Sequence, residues 1–380
     1  MNSSSHNPAD TTVVVGISGG VDSAVAALLL IEQGYRVQGL HMTNWDADDD
    51  YCEAAEDYQA ARAVCEDLGI PLHHVNFAAE YRDKVFADFL AEYRSGRTPN
   101  PDVACNRYIK FGDCLTYARR LGADLVATGH YARIDLQGRS PKLLKGADPG
   151  KDQSYFLHAI KPEVLRGVLF PLGGLRKEQV RQIANERGLP NYARKDSTGI
   201  CFIGERPFKE FLQQFVQGEP GNIETPEGAV IGHHDGLMYY TLGQRQGLGI
   251  GGQRDYPDEP WYVAGKDEAR NVLVACQSHE HPLLHSAALT AGGLHWFAGA
   301  PPATRFSCAV KTRYRQTEVP CEVTVSGAAA RVTFAKPVWA VTPGQYAVFY
   351  DGEVCLGGGV IESADGIEAD VAAGVSRQSA

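Results

Sequence analysis

The stretch VVVGISGGVDSAVAALLL, residues 13–30, constrains the chain most. A β-branched run turns through two glycines straight into an apolar helix, the pattern of a buried strand leading into a buried helix face. Gly19 and Gly20 can take backbone angles closed to other residues and leave no side chain in the way. The helix that follows points unpaired N–H groups and the positive end of its dipole at the loop. Ser18, Asp22 and Ser23 add two hydroxyls and a carboxylate. That inventory suits an anion together with a metal ion. The Gly-Lys-Ser/Thr ending of a Walker A loop is absent. An isolated glycine pair would read as a capped turn, whereas the complete SGGVDS at the first strand–helix junction points to phosphate.

The first two hundred residues alternate strand and helix. Strands are expected over 12–17, 36–41, 71–76 and 124–129, and helices over 21–33, 53–68, 79–94 and 106–121. Such alternation predicts an α/β fold with a doubly wound parallel sheet and ligands outside the carboxyl ends of its strands. Both SGGVDS and ATGHYA (127–132) fall at such ends. From about Pro207 the pattern changes to a short helix, a glycine-rich stretch YTLGQRQGLGIGG (240–252), and then short strands with turns between them. The expected organisation is a disordered start over 1–11, an α/β domain with the phosphate-binding loop over 12–206, a small central domain over 207–280, and a C-terminal β-barrel over 281–368.

The longest apolar run, Ala24 to Ile31, is too short to cross a bilayer, and the polar start carries no signal core. The expectation is a cytoplasmic protein without membrane contact. Its net charge of −10 provides no overall basic footprint for nucleic acid. Basic clusters exist locally, at Arg176, Lys177, Arg181, Arg187, Arg194 and Lys195, and at Lys311, Arg313 and Arg315. None of the nine cysteines forms a C-x-x-C pair, so a structural zinc site or ligated cluster is not expected. Most should be buried thiols. Cys105, in TPNPDVACNRYIKFG, and Cys201, in KDSTGICFIGER, stand apart because both lie in irregular loops of the same domain. Cys105 falls near a helix N-terminus, where the thiolate is favoured. Cys114 should turn away from that loop and be inert.

SGGVDS resembles the signature of the PP-loop ATP pyrophosphatases (the adenine nucleotide α-hydrolase-like fold). Together with TPNPDVACN, ATGHYAR, KDQSYFL, DSTGICFIGER, LGQRQGLGIGG, RYRQ and AVTPGQYAVFY, in order from residue 16 to about 350, it resembles the tRNA-specific 2-thiouridylase (MnmA) family. The resemblance implies ATP-dependent replacement of the C2 oxygen of the wobble uridine by sulfur, in tRNAs for lysine, glutamate and glutamine. It implies that Gly16, Ile17, Ser18, Gly19, Gly20, Val21, Asp22 and Ser23 embrace pyrophosphate, with Asp22 near Mg²⁺, and that Met42 and Gly129 line the adenosine side. Asn100, Pro101 and Asp102 would contact the target base, with Asp102 a candidate proton acceptor. His130, Lys151, Asp152, Gln153, Arg313, Tyr314 and Gln345 would contact tRNA. A persulfide on Cys201, supplied by a sulfur carrier or a cysteine desulfurase, and Cys105 as the second thiol would carry the sulfur chemistry. Two other readings stay open on the residues alone: a PP-loop ligase that amidates a carboxylate, and a non-catalytic ATP-binding RNA adaptor.

Overall fold

The computed structural model describes residues 7–45, 54–138, 140–195, 208–251 and 255–367. Its first sheet contains β1 (Thr12–Gly16), β2 (Arg36–Thr43), β3 (Leu72–Asn76) and β4 (Leu125–Ala127). After a hairpin of β5 (Ala132–Asp135) and β6 (Lys142–Lys145), β7 (Val168–Leu169) completes it. The order is β3-β2-β1-β4-β7, all parallel. Strand alternation sets the two layers. Val13 and Val15 pack with Ala27 and Leu30 of α1 (Val21–Glu32) and with Ala61 and Cys65 of α2 (Ala54–Leu68). Val14, Leu40 and Val126 face the opposite layer, which holds Tyr81, Phe89, Ile109 and Phe111. The sheet is doubly wound, as the alternation of elements predicts.

That second layer contains a helix over 78–94 with a π-helical turn at Arg82–Phe86, and another over 101–120 with a π-helical stretch at Cys105–Cys114. The latter begins at Pro101, five residues earlier than the apolar periodicity suggests. Asn100 caps it by accepting the Asp102 N–H at 3.2 Å, and proline is well suited to the first helical position. Pro101, Asp102 and Cys105 therefore lie on a helix and not in the loop ahead of it.

The central sheet is formed by β8 (Gly221–Glu224), β9 (Val230–His234), β10 (Trp261–Asp267) and β11 (Val272–Gln277), in the order β10-β11-β8-β9. The last six strands are β12 (His285–Trp296), β13 (Arg305–Lys311), β14 (Val319–Ser326), β15 (Ala329–Trp339), β16 (Tyr346–Asp351) and β17 (Val354–Gly366). They run β12-β15-β14-β13-β16-β17, and the β12–β17 pairing closes the ring. The barrel predicted from the strand-and-turn pattern is present. The sequence pattern did not reveal that β6 adds to β17, pairing Leu144 with Val354 and Leu143 with Cys355. The β5–β6 hairpin, an excursion from the first sheet, thus extends the barrel wall.

His158 lies at this junction. It is 1% exposed, its Nδ1 lies 2.7 Å from the Tyr155 carbonyl, and its ring lies 4.9 Å from that of Tyr346 in the barrel. Burial, with His295 and Arg107 nearby, pushes its pKa down to about 4. Above the unfolded value of about 6.5 the ring is neutral in both states, so no stability is lost there. As pH falls from there toward 4, only the unfolded chain takes up this proton, and stability drops by about 3 kcal/mol. Urea unfolding at pH 7 and pH 4.5 should show that drop, with a shallower dependence in His158→Gln. An identical pH dependence in the variant would contradict the assignment.

Candidate active site

The strand order reverses between β1 and β4, the point where doubly wound sheets hold ligands. The loop after β1 is shaped by its own hydroxyls. Ser18 N–H donates to Ser23 Oγ at 3.2 Å, Gly20 N–H to Ser18 Oγ at 3.4 Å, and the Ser23 hydroxyl to the Gly20 carbonyl at 3.0 Å. Gly19 has φ +81°, a conformation that favours glycine. Ile17 and Val21 are buried, so this loop presents backbone, hydroxyls and Asp22. Gly16 closes β1, and Met42 lies near the carboxyl end of β2, partly buried. Gly129 backs the loop. A Cβ there would come within 2.9 Å of the Asp22 carbonyl carbon and Ser23 N, so only glycine allows this approach.

Asp22 Oδ1 accepts two donors at 2.7 Å, Tyr131 OH and Lys177 Nζ. Lys177 opens the helix Lys177–Glu186 and is nearly buried. Arg194 donates to the Gly19 carbonyl at 3.3 Å and pairs with Asp57 at 2.5 Å, while Asn191 Nδ2 reaches the same carbonyl at 2.8 Å. The basic cluster at 176–195, which charge counting groups with nucleic-acid binding, therefore sends Lys177 and Arg194 to the glycine loop. His41 is a further neighbour missed in the sequence. Its Nδ1 lies 2.9 Å from the Ile17 carbonyl, and burial lowers its pKa. Among the described residues no group of three His, Cys, Asp or Glu could hold a metal ion. The loop's amides and hydroxyls suit phosphate oxygens, and Asp22 is the residue there that would hold Mg²⁺, which would supply positive charge against them.

His130 links this loop to the Cys105 helix. It is buried, with Nδ1 2.7 Å from Thr128 Oγ1 and ring centroids 5.7 Å from Phe111 and 5.9 Å from Phe170. Burial holds its pKa well below the usual histidine value, so the ring is neutral. Cys105 is 1% exposed. Cys114 is also buried and its thiol is pushed up to about 12, as an inert cysteine requires. Cys201 lies outside the described residues.

The segment that leads into Cys105 is held from two other domains. Thr98 N–H donates to the Pro343 carbonyl at 3.0 Å, and Gln345 Nε2 donates to the carbonyls of Thr98 at 2.8 Å and Pro99 at 3.3 Å. Thr98 Oγ1 also lies 3.3 Å from Thr241 Oγ1 of the central region. Gly344 has φ +91°, and a Cβ on it would sit 2.9 Å from the Thr98 backbone. Gln345, expected to touch RNA, thus spends its amide N–H groups on this segment.

The structure brings the 151–153 and 313–314 groups together. Tyr314 packs on Phe156 at 4.3 Å between centroids, and its hydroxyl reaches the Lys151 carbonyl at 3.4 Å. Arg313 donates to the Leu242 carbonyl at 2.6 Å and Thr342 Oγ1 at 2.7 Å, and lies over the Trp339 ring. Gln153 Oε1 accepts the Tyr131 N–H at 3.0 Å. Asp152 faces inward. It is 4% exposed, and its carboxylate accepts from Gly146 N, Ser154 N, Ser154 Oγ and Lys311 Nζ at 3.0–3.1 Å. This buried carboxylate spends its acceptors on four donors and joins the two domains.

Comparison with known proteins agrees with this architecture. Residues 11–205 match the tRNA methyl transferase HUP domain model, 209–277 the tRNA methyl transferase PRC-barrel domain, and 286–361 the aminomethyltransferase β-barrel domain. A protein from Marinobacter nauticus named tRNA-specific 2-thiouridylase MnmA is 58% identical over 367 residues, covering 95% of this chain and 93% of its own. Proteins of the same name from Methylococcus capsulatus (60% identical, 92% of this chain and 96% of that one) and Pseudomonas putida (58%, 94% and 96%) match along nearly the whole length. The chain belongs to the tRNA-specific 2-thiouridylase MnmA family.

Proposed function

We infer that this protein is a tRNA-uridine 2-sulfurtransferase that uses ATP to make 2-thiouridine. The observation that carries the reading is a glycine loop at the switch point of the sheet, with Asp22 held by Lys177 and Tyr131, backed by Gly129 and linked through His130 and Phe111 to the helix that bears Cys105.

A uracil carbonyl oxygen is a very poor leaving group. Attack of the C2 oxygen on the α-phosphorus of ATP expels pyrophosphate and turns that oxygen into part of AMP. The amides of residues 16–23 receive the departing phosphates, and Mg²⁺, when bound, neutralises their charge. Lys177 adds a cation at the same place. Sulfur then displaces AMP at C2. It arrives as a persulfide on Cys201, loaded by a sulfur carrier or a cysteine desulfurase. Cys105 attacks the persulfide or resolves the thiolated intermediate, and either route leaves a Cys105–Cys201 disulfide that a reductant reopens. Asn100, Pro101 and Asp102, at the N-terminus of the Cys105 helix, are proposed to meet the target base, with Asp102 as proton acceptor. Tyr314 offers a face for stacking, and Lys151 and Arg315 offer charge for RNA phosphates. The substrates proposed are the tRNAs for lysine, glutamate and glutamine, modified at the wobble uridine in the cytoplasm.

The matched domain descriptions name methyl transfer, which gives a second reading a definite form. Mass spectrometry of nucleosides separates the two. After incubation of tRNA with ATP, Mg²⁺ and a persulfide source, 2-thiouridine is expected. Cys201→Ser should adenylate without carrying a persulfide, and Cys105→Ser should carry one without completing transfer. Thiolation by both variants at the parent rate, or methylation without ATP, would contradict the reading.

Gly344 tests the clamp on the base-binding segment. Gly344→Ala places a Cβ against the Thr98 backbone at a positive φ, so the 98–102 segment must shift. Misplacement on the ångström scale costs about 10- to 100-fold in turnover. ATP affinity should hold, because the glycine loop is untouched. Unchanged turnover on tRNA would show that the segment finds its place without the barrel.

A further inference from the structure

Two cysteines that the sequence groups with the buried thiols face one another in the barrel. Cys308 on β13 and Cys321 on β14 are direct cross-strand partners, and their sulfurs lie 3.6 Å apart. Cys308 is half-buried and Cys321 is buried. Cys321 belongs to the apolar core of the barrel and Cys308 packs against it, whereas Cys65, Cys114 and Cys355 sit in the other apolar clusters. Directly opposed residues on antiparallel strands have Cα atoms about 4.5–5.5 Å apart, within the range a disulfide spans. Bond formation needs the sulfurs to close to about 2.05 Å, which side-chain torsions supply without a change of register.

The position of the pair gives it a consequence. From Cys308 the chain runs to Lys311, loops through 312–318 and returns at Val319. The loop carries Arg313 and Tyr314 and is braced by Gln316 Oε1, which accepts from Thr312 N and Oγ1 at 2.8 Å. Its stem docks on the catalytic domain through Lys311 and Asp152, 3.1 Å apart. A bond between the two sulfurs would fasten this hairpin at its base.

We propose that Cys308 and Cys321 form a redox modification site, a dithiol that is oxidised by a low-molecular-weight disulfide of the glutathione class. The contact with Cys321 and burial hold the Cys308 thiol well above the usual thiol range, so the step is slow: the more exposed Cys308 loses its proton, attacks that disulfide, forms a mixed disulfide and expels one small thiolate. Cys321 then loses its proton and attacks the Cys308 sulfur, expelling the second. The pair gives up two electrons and two protons, and the small disulfide becomes two thiols. The site is independent of the chemistry at Cys105 and Cys201.

The test uses the full, unsubstituted chain equilibrated over a series of oxidised-to-reduced glutathione ratios, trapped with iodoacetamide and mapped as peptides. The expected product joins the Cys308 and Cys321 peptides, reverts with dithiothreitol, and slows amide exchange across 312–318 several-fold. In C308S the slowing should disappear; if that variant does not fold, the linkage in the unsubstituted chain decides the point. Alkylation of both sulfurs at every ratio, a Cys308–glutathione adduct that never closes, or a linkage that leaves exchange unchanged would overturn the proposal.

Discussion

A buried ion pair holds the working parts of this molecule in one frame. Lys311 Nζ and Asp152 Oδ2 lie 3.1 Å apart with side chains 10% and 3% exposed. Removing one partner of such a pair leaves an uncompensated buried charge, at a cost of about 3–5 kcal/mol. The other donors to Asp152 order the turn that carries Lys151 and Gln153, while Lys311 ends the strand that carries Arg313 and Tyr314. The β6–β17 pairing and Lys145, which reaches Glu318 at 2.6 Å, reinforce the same seam. The barrel is thereby fixed to the first sheet by backbone pairing as well as by charge.

With the barrel fixed, its 343–345 turn reaches the segment that enters the Cys105 helix. The arrangement has a clear division of labour. The glycine loop and its cations sit at the switch point of the sheet, where doubly wound sheets hold ligands. The segment that leads into the Cys105 helix depends on contacts from the other two domains. A substrate that engages the barrel therefore bears on the geometry around Cys105, and the neutral, buried His130 lies between that helix and the glycine loop.

Much of this was legible in the sequence, because local physics specifies it. The alternation of apolar strands and helices is written in periodicity, and SGGVDS carries its own turn chemistry. The start of the Cys105 helix at Pro101 was missed because the polar cap, Asn100, precedes the apolar repeat by several residues. The roles of Lys177, Arg194 and Asp152 were hidden for a different reason. A charge in a basic or acidic run looks solvated until a distant segment folds onto it, and Lys177 meets its partner across 155 positions. The Cys308–Cys321 juxtaposition depends on strand register, which hydrophobic alternation alone does not number. Cys201 shows the converse case, a residue singled out by its sequence context that lies outside the described residues.

The central claim is that ATP, held at the glycine loop, activates the uridine C2 oxygen. The most direct measurement follows that oxygen. A tRNA whose target uridine carries an oxygen-isotope label at C2 is taken through one turnover with ATP and a persulfide source, and the AMP is analysed by mass spectrometry. The account predicts that the label leaves the tRNA and appears in the phosphate of AMP, in step with 2-thiouridine formation. Label that stays in the tRNA, or departs as water while AMP remains unlabelled, would contradict it.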